Sequence, residues 1–351
     1  MIRSRRVVPT AADDLARWLR RPETDFRGLA PLATWDRHLI RFLPYAFAIS
    51  AGIGIRGYII APWGIGIDAP LYAAAARAWL AGGDPWSVAS SGIHFGAPPP
   101  TLLAFVPFIL LPDSLVAAIW IVGSFTLAYL AIRALGLKWW WICFWPIVDG
   151  ALVGNPDVAV LALLVIARQR LAWFAPILKI YAVFPMISMW RWKAIAGTAA
   201  VLILSAPLLP WSLWLGSLPS ISGRLESFAH TTSVAGDIPL MIIGIVALLA
   251  LGFRRAGWLV VPVLWPWTQP HYLAMSVPVL TPTLAILWSI PGPPPLVMLA
   301  SVVVAAVGYR LFPQRQIPSD PDLRDPLVVG PDGREPSDFT SALVTTTTGS
   351  H

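Results

Sequence analysis

Asp68, Lys179 and His271 are the residues whose types and surroundings equip this chain for chemistry. Asp68 follows directly on an apolar run, in Gly64-Ile65-Gly66-Ile67-Asp68-Ala69-Pro70-Leu71-Tyr72. A carboxylate there is placed to take a proton from a hydroxyl as a general base, or to cap the helix that starts near Pro70. Lys179 is one of three lysines and lies in an apolar segment interrupted by Pro176 and Pro185. Its ammonium can hold a phosphate as a point charge, or snorkel to an interface. His271 sits in Trp265-Pro266-Trp267-Thr268-Gln269-Pro270-His271-Tyr272, where two prolines open an apolar run. It is either an imidazole facing a cavity or a capped histidine at a span end.

A second set is weaker alone. Asn155, the single asparagine, stands between Gly154 and Pro156 in apolar surroundings and needs partners for its amide. Arg56 is a charge inside the first apolar run, which calls for a carboxylate or lipid phosphate unless it snorkels. Asp84 and Trp86 follow Gly82 and Gly83; an acid and a ring suit carbohydrate, and the same residues make an ordinary turn. Walker, Rossmann, HExxH and CxxC patterns do not occur, so nucleoside-triphosphate hydrolysis and zinc chemistry have no support.

The elements that position these groups follow from composition. A chain that is 57% hydrophobic and 12% charged, with mean hydropathy +0.68, has more apolar surface than an ordinary soluble core can hide. Lipid requires every backbone group to be paired within its own segment, and the runs lack period-2 alternation, so they read as helices. The expected fold is an all-α polytopic integral membrane protein with about ten to twelve transmembrane or part-spanning helices.

The first span is expected at 42–62 and the first loop at 63–98, with an Ala-rich interfacial helix at about 70–82 lying on the outer surface. Pro98 to Pro100 lead into a second span ending at Leu111, and a third covers about 115–135. Short runs at 139–153 and 158–167 flank the polar break Gly154 to Asp157, as in helices that stop part-way and face a cavity. The segment 171–190, basic at both ends, reads as a hairpin of two short helices with Lys179 near its apex, the alternative being a single tilted span. Further runs lie at 194–215, 238–253, 258–267, 272–290 and 296–311, with a polar loop at 216–237 that carries Arg224, Glu226 and His230.

Nine arginines between Arg3 and Arg41 precede the first span, which puts that end in the cytoplasm and the first loop outside. They account for much of the net charge of +7, so no nucleic-acid partner is expected. Residues 1–41 read as a cytoplasmic amphipathic segment, 42–312 as the membrane domain and 313–351, rich in Pro, Asp, Ser and Thr, as a disordered polar tail. The long polar stretch before the first run is unlike a signal peptide, so no cleavage is expected. Nineteen tryptophans fit an interfacial belt, and Cys143, the single cysteine, fits inert packing.

Several blocks taken in order resemble the glycosyltransferase-C superfamily, specifically the polyprenol-phosphate-mannose-dependent mannosyltransferases of glycosyltransferase family 87. They are Asp68 with Tyr72; Gly83, Asp84, Pro85 and Trp86, where the family has Tyr last; Pro98 and Pro99; Gly154 and Asn155; Leu178, Lys179 and Tyr181; and 265–272. His94 stands where the family often has an aromatic residue. The resemblance implies a cell-membrane hexosyltransferase with an extracytoplasmic active site that takes mannose from a polyprenyl-phosphate donor to a lipid or glycan acceptor with inversion. It implies Asp68 as general base, Lys179, Arg56 and His271 near the donor phosphate, and Tyr72, Asp84, Trp86, His94, Asn155 and His230 around acceptor and sugar. The donor brings its own leaving group, so no cofactor is expected, and no metal. The rival readings are a transporter or flippase of lipid-linked sugars, which predicts an internal repeat, and a non-catalytic membrane subunit.

Overall fold

The computed structural model describes residues 35–227, 231–266 and 268–312, all within one unit of the chain. The described residues are mostly helical. Two helices, Ile40–Ile60 and Asp113–Ala134, with 21 and 22 residues, are long and apolar enough to cross a membrane. At 1.5 Å per residue each reaches about 30 Å, the thickness of a hydrocarbon core. A third candidate is the pair Trp145–Val153 and Asp157–Val165, bent by 120° at its break. Other apolar helices, Trp192–Ser205, Ile238–Ala250 and Pro295–Leu311, are shorter. The sequence expectation of ten to twelve counted such short runs as spans or part-spans.

The break in the bent pair has a local cause. Gly154 adopts φ +79°, a left-handed conformation that closes the first helix, and the Asn155 N–H returns to the Gly150 carbonyl at 3.0 Å. Pro156 has no N–H to continue the ladder, and Asn155 Oδ1 accepts from the Asp157 N–H at 3.2 Å to start the second helix. A similar break falls at Lys179: Ala175–Leu178 ends there, Lys179 is extended, and a short turn leads to Val183–Ser188. Both breaks lie where the sequence puts them.

The first loop departs from expectation. Its helix, Asp68–Leu80, does not lie on the surface: Ala69, Leu71, Tyr72, Ala73, Ala75 and Ala76 are buried against Pro100–Phe105 and Asp113–Ala134. Small alanines let that helix approach its neighbours closely, and Tyr72 fills the remaining space against Phe95 and Phe105 at 5.1 and 4.8 Å between ring centroids. A two-stranded antiparallel hairpin, Ala89–Ser90 with Ile93–His94, turns at Ser91 and Gly92, both at positive φ; among the described residues it is the exception to an all-α fold.

Three further boundaries differ. The segment after Pro98 forms only Pro100–Phe105 and a short 3-10 turn, because Pro107 removes a donor where a span would need one. The stretch expected as a loop from Gly216 is helical to Ser227, within Trp211–Ser227, because Ile221 buries itself against the loop helix's core. Finally, Pro270–Val279 is a 3-10 segment followed by Pro282–Trp288, since Pro270, Pro278 and Pro282 prevent one continuous span. The expected amphipathic segment at 1–41, apart from its last residues, and the polar tail at 313–351 lie outside the described residues.

Candidate active site

A cleft of about 840 Å³ opens between the first-span helix, the start of the loop helix, the first arm of the bent pair and the segment at Gln269 to His271. Ile53, Gly54, Gly57 and Trp145 give it apolar walls, and Asp68, Tyr58, Asp149 and His271 supply its polar groups. That composition, apolar lining with few convergent polar groups, is typical of a small-molecule or lipid site.

Asp68 is the first residue of its helix and is 8% exposed. Its position is set by the bent pair: the Gly66 N–H donates to the Leu152 carbonyl at 2.7 Å, and Gly154 lies against Ala69 and Gly66. Asn155 Nδ2 donates to Asp68 Oδ2 at 2.6 Å. Among the described residues no hydrogen bond reaches Oδ1, which leaves one carboxylate oxygen for a ligand in the cleft. Burial raises the Asp68 carboxyl above its ordinary value; His271, Lys179 and the Asn155 amide pull it down, and Asp157 adds to the rise.

Behind this front lies a buried ionic core. His271 Nδ1 is 3.2 Å from Asp149 Oδ2, and its Nε2 is 3.6 Å from Asp157 Oδ2. Tyr58 donates to Asp149 Oδ1 at 2.6 Å, and the Tyr181 hydroxyl donates to Asp157 Oδ1. Burial works against the charged imidazole, but the hydrogen bond to Asp149 and the charges of Asp157, Asp149 and Asp68 outweigh it, so His271 holds its proton more firmly than a free histidine. The ring thus joins the two arms of the bent pair, through Asp149 on the first and Asp157 on the second. His271 Nε2 and Asp157 Oδ2 are buried without a hydrogen-bond partner among the described residues.

Lys179, 9% exposed, does not line the cleft. Its Nζ lies 6.0 Å from the Tyr72 ring centroid and 5.1 Å from that of Tyr272, between two electron-rich faces. Burial pushes the Tyr72 phenol up to about 12 against the pull of Lys179.

The expected site residues thus divide. Asp68 and His271 line the cleft, and Asn155, Tyr72 and Lys179 stand behind Asp68. Asp84 caps the turn after the loop helix by accepting from the Trp86 N–H at 2.9 Å, and Trp86 is sealed in the loop core with its indole N–H on the Ala97 carbonyl. The His94 ring accepts from Arg224 at 3.1 Å, tying the hairpin to the helix Trp211–Ser227. Arg56 is exposed on the first-span helix, and the cleft is lined by its neighbours Gly57 and Tyr58 instead. His230 lies outside the described residues. Sequence reasoning passed over Asp149, Asp157, Tyr58 and Tyr272 as site groups; the signal available was two acids within apolar runs, where an unpaired carboxylate is costly. Among the described residues no three His, Cys, Asp or Glu side chains gather as a metal site would require.

The two glycines of the cleft wall give a contrast. A Cβ on Gly54 would lie 2.1 Å from the Trp145 ring, whereas one on Gly57 meets nothing within 4 Å. Gly54→Ala is expected to destabilise the fold by about 1–3 kcal/mol through overpacking. Gly57→Leu is expected to leave thermal unfolding unchanged while narrowing the cleft, weakening the binding of a ligand there on the order of tenfold. Equal unfolding midpoints for the two variants would contradict this packing.

No protein-family model, curated protein or solved structure matches the chain. What fold and composition define by themselves is a mostly helical protein with, among the described residues, two or three helices long and apolar enough to cross a membrane.

Proposed function

We propose that the protein is a polytopic membrane glycosyltransferase of the glycosyltransferase-C kind, working at the extracytoplasmic face. It moves a hexose, with mannose the expected sugar, from a polyprenyl-phosphate donor to a hydroxyl of a lipid or glycan acceptor. The observation that carries this reading is a buried carboxylate, Asp68, with one oxygen fixed by Asn155 and the other open to an apolar cleft beside the first-span helix.

The chemistry balances with these groups. The acceptor oxygen attacks the anomeric carbon while Asp68 takes its proton; the bond from that carbon to the phosphate oxygen breaks with inversion, and polyprenyl phosphate leaves with the electron pair. On this reading the His271 ring at the cleft wall and Lys179 behind Asp68 favour the negative charge of the leaving phosphate through their field. The apolar walls take the first isoprene units of the donor.

The acid limb of the pH profile is a direct test. The base must be deprotonated, and its carboxyl is raised by burial, so activity falls with decreasing pH at values above the ordinary carboxylate range. Membranes containing the protein are given radiolabelled polyprenyl-phosphate sugar and an acceptor extract, and transfer is followed across pH. A profile flat down to the pKa of a free aspartate removes Asp68 as the base. Movement of the intact lipid-linked sugar across vesicles without cleavage assigns the cleft to a flippase instead.

A further inference from the structure

Three arginines, none of them lining the cleft, lie at the turn between Ile238–Ala250 and Phe253–Leu264 and at the end of Pro295–Leu311. The guanidinium carbons of Arg255 and Arg310 each lie 5.6 Å from the centroid of one ring, Tyr309. Both also reach the carbonyl end of Ile238–Ala250: Arg310 Nε donates to the Ala250 carbonyl at 2.9 Å, and Arg255 to that of Leu251 at 3.4 Å. Arg254 is exposed beside them, and no described carboxylate forms an ion pair with Arg254 or Arg310. Two cations held to one ring concentrate positive charge at this turn.

An apolar groove of about 450 Å³ runs from this cluster between Ile238–Ala250 and Pro295–Leu311. Ile242, Val246, Val303 and Val307 line it, and Arg310 closes its end. Ile242 and Val246 are more than half exposed, so the groove faces outward. A second recess of about 450 Å³ lies on the other side of the arginines, with Trp190 and Phe253 in its wall. Positive charge at the mouth of an apolar channel is complementary to one kind of molecule, an amphiphile with an anionic head.

We infer that this surface binds an anionic phospholipid, with its phosphate at Arg254, Arg255 and Arg310 and one acyl chain in the groove between Ile238–Ala250 and Pro295–Leu311. The charge selects the headgroup, and the groove separates a phospholipid from free phosphate. The site is independent of the Asp68 cleft, so the transferase reading can fail while this one stands.

The test uses the full chain purified in a neutral detergent, with phosphatidylglycerol, phosphatidylcholine, inorganic phosphate and glycerol phosphate added in separate arms. Native mass spectrometry counts the bound molecules, and thermal unfolding reports stabilisation. Phosphatidylglycerol is expected to be retained and to raise the unfolding midpoint, with the other three giving no more than detergent alone. The double variant Arg254→Gln/Arg310→Gln is expected to lower retention about tenfold, the usual weight of one or two charge-assisted contacts. Val307→Trp, which fills the groove and leaves the arginines, is expected to do likewise, and neither change should alter sugar transfer. Equal retention of the two phospholipids, or undiminished phosphatidylglycerol retention in both variants, overturns the inference.

Discussion

Asp68→Asn is expected to reduce sugar transfer by about a hundredfold to ten-thousandfold, the range over which a positioned base acts. The variant keeps the shape of the side chain, and its Oδ1 can still accept from Asn155 Nδ2, the contact made at 2.6 Å in the native protein. It loses only the capacity to hold the acceptor's proton. Because the native carboxylate is buried and its charged form disfavoured, the amide should accumulate normally and unfold at the same temperature or slightly higher. The measurement is transfer from a polyprenyl-phosphate donor per unit of folded protein, quantified in the same membranes. Wild-type transfer by this variant would remove Asp68 from the chemistry, and a proportional loss of protein would reduce it to a structural cap. A companion, Asn155→Ala, should keep part of the activity, since it frees Asp68 without removing it; Asn155 is a positioning residue. Its effect should appear as a shift of the acid limb upward, because the amide favours the ionised carboxylate.

Removing the His271 ring has the second large effect, and it falls on the fold. Asp157 is fully buried and its Oδ2 faces His271 Nε2 at 3.6 Å; Asp149 is held through Nδ1 at 3.2 Å. His271→Ala leaves two buried carboxylates with only the Tyr58 and Tyr181 hydroxyls to satisfy them. Stripping one partner from such a cluster costs about 3–5 kcal/mol, which corresponds to a fall of about 10 °C in the unfolding midpoint. The discriminating measurement is a double-mutant cycle. If His271 compensates charge, Asp157→Asn should cost less in the His271→Ala background than in the native chain, because the carboxylate it removes is already uncompensated. Additive costs would show that the ring fills space and does no more. Under the proposed function, any loss of sugar transfer beyond that explained by unfolding would assign the ring a part in the chemistry.

Much of the local structure follows from short-range signals in the sequence. Gly154, Asn155 and Pro156 together specify a helix end, a polar cap and a missing donor, and the chain bends there by 120°. Pro176 and Pro185 around Lys179 give the second break in the same way. The misread places are those where packing overrides local pattern. The loop helix has the Ala-rich composition of a surface helix, yet alanine is also the residue that lets helices approach closely, and Asp68–Leu80 is buried along one face. The stretch beginning at Gly216 looks polar along the chain, but one face of Trp211–Ser227 carries Ile221 into the core beside Tyr72 and Phe95. Trp86 reads as an exposed ring for a sugar and is instead core, because the hairpin folds over it and Ala97 takes its indole N–H.

The candidate site divides along the same line. Composition and hydropathy alone determine that the protein is helical and apolar enough for a membrane, and residue type with position picks out Asp68, Asn155 and His271. Tertiary structure alone decides that His271 meets Asp149, 122 positions away, and that Tyr58 meets Asp149 across 91. Periodicity, breakers and caps act within a turn or two of helix, so they can be read along the chain. A carboxylate buried beside an imidazole exists only once distant helices pack, because it is their packing that excludes water and makes each charge require the other.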